Sequence, residues 1–483
     1  MIEVPSFNGV TVAVLGLGRS GLSAARALFE SGAVVWAWDD NEASRDQAQK
    51  MNIPLVDLAA CGWSDCKLLV LSPGIPHTYP SPHPIAAKAM AAGVKIVCDV
   101  ELLVRTQRSA NYVGITGTNG KSTTTALIAH ILQKSGERIE IGGNFGIPAL
   151  DLEPLDEGAI YVLEMSSYQL ERTSAVPFNV AVLLNISADH LERHGGMQGY
   201  IAAKKTIFKD QNQTHTAVIG VDDPLSKDVF HALQKTAVQK LIPISGSARI
   251  EAGVYVLDGN LFDDTDGSEK VVCDLKTIAS LPGNHNWQNA AAAYATAKAM
   301  GVPSQAIVDG LQSYPGLIHR QEAVAIVDGV AFVNDSKATN ADAASRALRC
   351  YENIYWIAGG RSKDGGLKGI EAHLKDVRHA YLVGESAADF ASYLKDKVVT
   401  TISGEMNSAV SSAYKSAKDD GYGKPVVLLS PACASFDQFP SFEARGDAFK
   451  SMVEALPGTH QNPLEKPGLL PLKGFQTSTG EAA

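Results

Sequence analysis

Gly117-Thr118-Asn119-Gly120-Lys121-Ser122-Thr123 follows an apolar strand-like run and opens a helical one. Glycines in such a loop let backbone N–H groups close on phosphate oxygens. The lysine reaches the outer phosphates, and the Ser122 or Thr123 hydroxyl can hold Mg²⁺. A strict triphosphate loop has glycine six residues before the lysine; here that position is Ile115, so a variant loop is expected. Gly16-Leu17-Gly18-Arg19-Ser20-Gly21 is a second phosphate-type turn, and Asp39 closes the next strand near where a ribose-binding acid would sit. Alone, that turn predicts a dinucleotide enzyme, but it does not separate NAD from another nucleotide diphosphate. Hydride transfer has no use for a γ-phosphate. A ligase that activates one substrate with ATP, and holds it by that substrate's own diphosphate, uses both loops. Three further places fit phosphate and metal chemistry: Glu164 at a strand end before Ser166-Ser167, Asp189-His190 after VAVLLNIS, and Lys204 in YIAAK. A lysine cation would repel a metal, so on spacing alone Lys204 reads as a solvated charge.

These residues need strand ends to hold them. VTVAVLGLG, AVVWAWDD and KLLVLSPGIP are short apolar strands separated by helical stretches, which predicts a doubly wound α/β unit. A second unit begins near Asn111 with strands in YVGITG, AIYVLEMSS, VAVLLNIS and HTAVIGVDD. It includes a hairpin expected around Asp258-Gly259 and a helix over NWQNAAAAYATAKAM. A third carries four strand-to-loop junctions: VAIVDGVAFVNDSKATN, NIYWIAGG, HAYLVGES and KPVVLLSPACAS. The expected domains are therefore 1–107, Rossmann-like; 108–317, a central P-loop ATPase-like α/β domain; and 318–460, Rossmann-like again. A mobile tail is expected over 461–483.

Composition limits the function classes. The chain has 483 residues, 42 Lys plus Arg and 52 Asp plus Glu, a net charge of −10 that argues against coating a polyanion such as nucleic acid. Six scattered cysteines form no zinc framework and read as reduced thiols. No apolar run reaches the ~18 residues a membrane helix needs. The N-terminus lacks a basic and apolar leader pattern. A cytoplasmic location and a monomer are expected.

In chain order, GTNGKST, GGNFG, EMSSYQL, ISADHLERH, YIAAKK, PGNHNWQN and HR resemble the Mur ligase family, which builds the peptidoglycan stem peptide. GLGRSG, SPGIP, NDSKATN and LSPACASFDQF resemble its D-glutamate-adding branch. The resemblance spans about residues 8 to 455. It implies that ATP phosphorylates the carboxylate of UDP-N-acetylmuramoyl-L-alanine and that the amine of D-glutamate displaces phosphate from the acyl phosphate. It implies ATP contacts at Gly117, Thr118, Asn119, Gly120, Lys121, Ser122, Thr123, Asn289, Arg320 and Asp335. Two Mg²⁺ ions would be held by Ser122, Glu164, His190 and Lys204, the lysine as a carbamate, which turns a cation into an anion. Lys121, Glu164, His190, Lys204 and Lys363 would be the catalytic group. The UDP substrate would meet Leu17, Arg19, Ser20, Asp39, Ser72, Pro73, Gly74, Asn144, Ser166 and His190. D-glutamate would meet Lys337, Thr339, Lys363, Ser435 and Phe442. Arg320 and Asp335 fall at the start of the third unit, which implies open and closed forms of the enzyme.

One departure stands out. The family often has Asp-Thr-Arg after the second strand, whereas this chain has Asp39-Asp40-Asn41. Residues 248–281 and the tail have no role in this reading. Rival readings are another amide ligase of the superfamily, such as a folyl-polyglutamate synthetase, a non-catalytic nucleotide-binding module, and an NAD-dependent oxidoreductase.

Overall fold

The computed structural model describes residues 1–174, 177–278, 280–363 and 365–463, with backbone alone at residue 284. Its strands form three sheets. The first has four parallel strands in the order Val34–Trp38, Thr11–Leu15, Leu68–Leu71, Lys95–Val97. Successive side chains on a strand point to opposite faces. Val12 and Val14 accordingly enter one core, and Ala13 and Leu15 another. A sheet covered on both faces needs unbroken apolar strands, which is why TVAVL and LLVL have no polar alternation.

The second sheet has nine strands. From one edge they are Lys270–Asp274, Asn260–Asp263, Val254–Leu257, Lys240–Ser245, Thr216–Gly220, Val180–Leu183, Asn111–Thr116, Ile160–Glu164 and Ile139–Gly143. The expected hairpin is present: Val254–Leu257 pairs antiparallel with Asn260–Asp263 across Asp258 (φ 49°) and Gly259 (φ 78°). Three strands within residues 254–274 thereby extend the sheet at one edge, a structural role for that part of the segment. Asp263 binds Lys298 and accepts a 2.9 Å hydrogen bond from Tyr294, tying the hairpin to the helix Asn284–Ala299.

The third sheet has seven strands, in the order Val399–Gly404, Val377–Val383, Ile354–Gly359, Val426–Leu429, Val330–Asn334, Glu322–Val327, His460–Gln461. The first five are parallel. VAIVDGVAFVN, expected as a single strand-to-loop junction, is instead an antiparallel hairpin of Glu322–Val327 with Val330–Asn334. Asp328 (φ 47°) and Gly329 (φ 85°) provide the two left-handed residues of its turn. Gln461, assigned to the tail by sequence, pairs with Ile326 at this sheet's edge. The tail from residue 464 onward lies outside the described residues.

The chain divides into two compact units, Met1–Val272 with Gln288–Leu311, and Cys273–Trp287 with the residues from Gln312 onward. One apolar cluster runs from Val12 and Val70 of the first sheet to Leu163 and Ala181 of the second, so those two sheets share a unit. All six cysteines are free. Among the described residues, no helix is long and apolar enough to cross a membrane.

The glycines of the first turn separate by role. A methyl group at Gly21 would lie 1.7 Å from the Gly16 carbonyl oxygen, whereas one at Gly18 meets nothing within 4 Å. Gly21→Ala should therefore lower stability by about 2–4 kcal/mol, and Gly18→Ala by under about 1 kcal/mol. Urea unfolding of both variants checks this; equal losses would contradict it.

Candidate active site

Helix Lys121–Lys134 has Gly120 at its N-cap, at φ 84°, and no side chain caps it. Its first N–H groups are thus left for an anion, with the helix dipole in support. A methyl group at Gly120 would lie 2.4 Å from Asn289 Oδ1, so the structure sets Asn289 against this loop. Lys121 Nζ donates to the carbonyls of Gly117 and Thr118, both at 2.9 Å. Thr123 is buried behind the turn. Asn185, which the sequence reading passed over, clamps the loop from below. Its Oδ1 accepts from Asn119 N–H at 2.9 Å and its Nδ2 donates to the Asn119 carbonyl at 3.1 Å. Its only sequence signal is a polar residue just past a buried strand.

Glu164 ends the strand Ile160–Glu164 and is 3% exposed. Its Oε2 accepts from the Ser122 hydroxyl and its Oε1 from Asn144 Nδ2, both at 2.7 Å. Three expected residues therefore converge. A methyl group at Gly143 would lie 2.5 Å from the Glu164 carbonyl oxygen and one at Gly142 2.5 Å from the Ile147 carbonyl oxygen, which explains the glycines preceding Asn144. Ser166 caps the next helix in a reciprocal capping box with Gln169.

Lys204 is 1% exposed and donates to the Gly117 carbonyl at 2.8 Å and to Thr116 Oγ1 at 3.4 Å. It is not the solvated charge expected from spacing. Burial, aided by the nearby Lys121 charge, lowers its pKa to about 7, against smaller opposing effects of Asp189 and Glu164. His190 takes a left-handed backbone (φ 51°) and is half exposed. Its ring meets Asp189 (3.5 Å) and the Tyr168 ring (centroids 5.1 Å).

At the first turn, Asp39 accepts from Leu17 N–H (2.6 Å) and Asn41 N–H (2.8 Å), and the Ser72 hydroxyl donates to the Gly16 carbonyl (2.8 Å). Leu17, Asp39 and Ser72 are thus joined, with Pro73 and Gly74 just beyond Ser72. Arg19 is exposed and donates to the Gly146 carbonyl at 2.7 Å; Ser20 is half-buried in the helix Arg19–Glu30. A cavity of ≈ 440 Å³ opens beside the turn, lined by Leu17, Gly18, Arg19, Ser44, Gln47 and Met51 among others. The residues of the sequence departure are in structural use. Asn41 caps the helix Glu42–Lys50, Asp40 meets His83 Nε2 at 2.9 Å, and Arg45 donates to the carbonyls of Asp39 and Asp40 while lying 4.8 Å over the Trp38 ring.

The second unit holds the remaining candidates. Asp335 is buried; its carboxylate accepts from Ser430 Oγ (2.8 Å) and Gln321 N–H (3.2 Å). Burial raises its pKa to about 7, against the Ser430 hydrogen bond and the charge of Arg320, itself half-buried. Lys337 Nζ lies 3.7 Å over the Phe442 ring, which joins two expected amino-acid contacts. Thr339 is half-buried and Ser435 is buried. Lys363 is exposed, on the loop after the strand Ile354–Gly359, and no described contact joins it to Lys337. Arg445, unassigned by sequence, is 2% exposed and donates to Ser336 Oγ and to the carbonyls of Ser336 and Cys433.

A hydroxyl beside a buried carboxylate, at a helix start with no side-chain cap and with two lysines, suits phosphate and a hard cation. Residues 115–297 match the model of the Mur ligase middle domain, and residues 10–98 that of the Mur ligase MurD-like N-terminal domain. The UDP-N-acetylmuramoylalanine–D-glutamate ligase of Rhodospirillum rubrum is 49% identical over 97% of this chain and 99% of its own length. The enzyme of that name from Caulobacter vibrioides is 50% identical over 94% and 98%. In fold, the chain resembles the UDP-N-acetylmuramate-alanine ligase of Thermotoga maritima, with a TM-score of 0.54 at 16% identity over 92% of this chain and 99% of that one. With both family models placed on its first two sheets and relatives about half identical along nearly its whole length, the chain belongs to the Mur ligase family.

Proposed function

We propose that this chain is an ATP-dependent ligase that joins D-glutamate to UDP-N-acetylmuramoyl-L-alanine in cytoplasmic peptidoglycan precursor synthesis, acting as a monomer. The observation that carries the chemistry is the Ser122–Glu164–Asn144 hydrogen-bonded chain, centred on the buried Glu164, beside the uncapped Gly120–Lys121 turn. The names of the near-full-length relatives support the substrates.

The substrate carboxylate attacks the γ-phosphoryl of ATP, giving an acyl phosphate and ADP. The D-glutamate amine then adds to the acyl carbon, loses a proton, and phosphate leaves with the C–O bonding pair. Both anions must approach each other, so positive charge must be preplaced. Lys121 and the N–H groups at the helix start, residues 120–123, cradle the phosphates, Thr118 and Asn119 holding the loop in place through Asn185, with Asn289, Arg320 and Asp335 as further ATP contacts. Ser122 and Glu164 fit one Mg²⁺, because hydroxyl and carboxylate oxygens are hard donors. When bound, Mg²⁺ supplies charge neutralisation between the carboxylate and the phosphates.

The set proposed for a second ion, His190 with Lys204, does not fit while Lys204 is an amine, which only donates. As a carbamate, Lys204 offers two oxygens. A pKa near 7 leaves much of the amine neutral at ordinary pH, the form that adds CO₂. Leu17, Arg19, Ser20, Asp39, Ser72, Pro73, Gly74, Asn144, Ser166 and His190 hold the UDP substrate in this reading. Lys337, Thr339, Lys363, Ser435 and Phe442 hold D-glutamate, Lys363 taking its side-chain carboxylate. An oxidoreductase reading has only the first glycine turn in its favour, and fluorescence titration with NADH tests it.

Phosphate release with ATP, UDP-N-acetylmuramoyl-L-alanine and a panel of amino acids should show turnover with D-glutamate. Turnover with a different amino acid and none with D-glutamate would overturn the assignment. Lys204→Ala should lose activity by about 100-fold or more, and short carboxylic acids should restore part of it. Full activity without them would refute the carbamate. Protonation removes the amine's nucleophilicity, so stimulation of CO₂-depleted enzyme by bicarbonate should weaken as pH falls from about 8 to about 6. Initial rates across that range check the sign.

A further inference from the structure

Two arginines outside the phosphate-loop and metal residues converge on one segment. Arg172 is 3% exposed. Its Nη1 donates to the carbonyls of Leu71 (3.1 Å) and Ser72 (2.9 Å), its Nη2 to that of Ile75 (2.5 Å), and its Nε to His77 Nδ1 (3.2 Å). Arg193, in the turn Leu191–His194, donates to the carbonyls of Tyr79 (2.9 Å), Ile75 (3.2 Å) and, at 3.5 Å, Pro73. Its guanidinium lies 4.8 Å over the Tyr168 ring, and its Nε is buried without a partner. Every main-chain acceptor lies between Leu71 and Tyr79.

The charge balance is unusual. Among the described residues, no carboxylate is a hydrogen-bond partner of either arginine. Glu171, the acid next to Arg172, is engaged by His194 Nδ1 at 2.5 Å. Burial, with Arg172 adding to it, lowers the His77 pKa to about 4, so that ring stays neutral and accepts. The two cations thus donate their hydrogen bonds to carbonyl dipoles and a neutral imidazole, with one aromatic face beside them. The nearby Glu171 charge acts on Arg172, and two arginines against one glutamate leave an excess of positive charge. The carbonyls of Ser72, Pro73 and Ile75 that would repel an anion are engaged by the arginines. The Ser72 hydroxyl carries this order to the Gly16 carbonyl of the first glycine turn.

We infer that Arg172 and Arg193 are positioning residues for the diphosphate-bearing substrate. They shape the Leu71–Tyr79 segment and place behind it positive charge that the substrate's diphosphate neutralises. This rests on the reading of Leu17 and Ser72 to Gly74 as the site of the UDP substrate.

The test compares Arg193→Gln, Arg172→Gln, Arg193→Lys and Arg172→Lys with the native enzyme. Calorimetric binding of UDP-N-acetylmuramoyl-L-alanine and KM values for it and for ATP are measured. Each glutamine variant should weaken the UDP substrate by about 10-fold or more and change the KM for ATP by less than about 2-fold; lysine should recover part of the loss. Unchanged affinity in Arg193→Gln, or equal losses for both substrates, overturns the inference. If Arg172→Gln does not fold by circular dichroism, the less buried of the pair, Arg193, decides the matter. Failure of the native enzyme to bind the UDP substrate would refute the underlying functional reading, which is a different result from native binding with unaffected variants.

Discussion

Two ammonium groups share one carbonyl oxygen. Lys121 reaches the Gly117 carbonyl at 2.9 Å and Lys204 reaches it at 2.8 Å. Both cannot be charged comfortably there without an anion nearby, and the buried member, Lys204, yields. The rest of the first unit answers to this constraint. The helix that follows Gly120 starts without a side-chain cap, Glu164 is set close by on the adjoining strand, and Asn185 holds the loop through two hydrogen bonds to Asn119.

A related arrangement recurs at the first sheet's carboxyl ends, where three arginines are held by main-chain dipoles. Arg172 and Arg193 bind carbonyls, Arg45 caps the end of Val34–Trp38, and Asp39 is spent on main-chain N–H groups. Charge left unmatched by acids can be matched by ligands. That is how a chain of net charge −10 can take anionic substrates.

Much of this was legible beforehand because glycine, lysine and strand-end acids have few uses in such contexts. The Gly120–Lys121 helix start, the Glu164 strand end and the hairpin at Asp258-Gly259 all follow from local chemistry. The hairpin at Asp328-Gly329 replaces an expected single strand-to-loop junction: residues 323–327 and 330–333 are apolar runs parted by two residues, so they look like one continuous strand. Asn185, Arg172 and Arg193 were passed over for a different reason. Their partners are main-chain atoms tens of residues away, and a carbonyl has no letter in a sequence.

Lys204 shows where the division falls. Its position in YIAAK and its likeness to a family motif mark it as a candidate, but an isolated lysine on a short helix is ordinarily solvated. Residue types and their order determined the chemistry available: two phosphate turns, a hydroxyl, a carboxylate and several cations, placed at strand ends by apolar periodicity. Burial of Lys204 against Gly117, engagement of Glu164 by both Ser122 and Asn144, and the turning of the Leu71–Tyr79 carbonyls onto arginines were decided by folding. Desolvation and hydrogen-bond direction depend on what surrounds a group in space, and those neighbours come from distant parts of the chain.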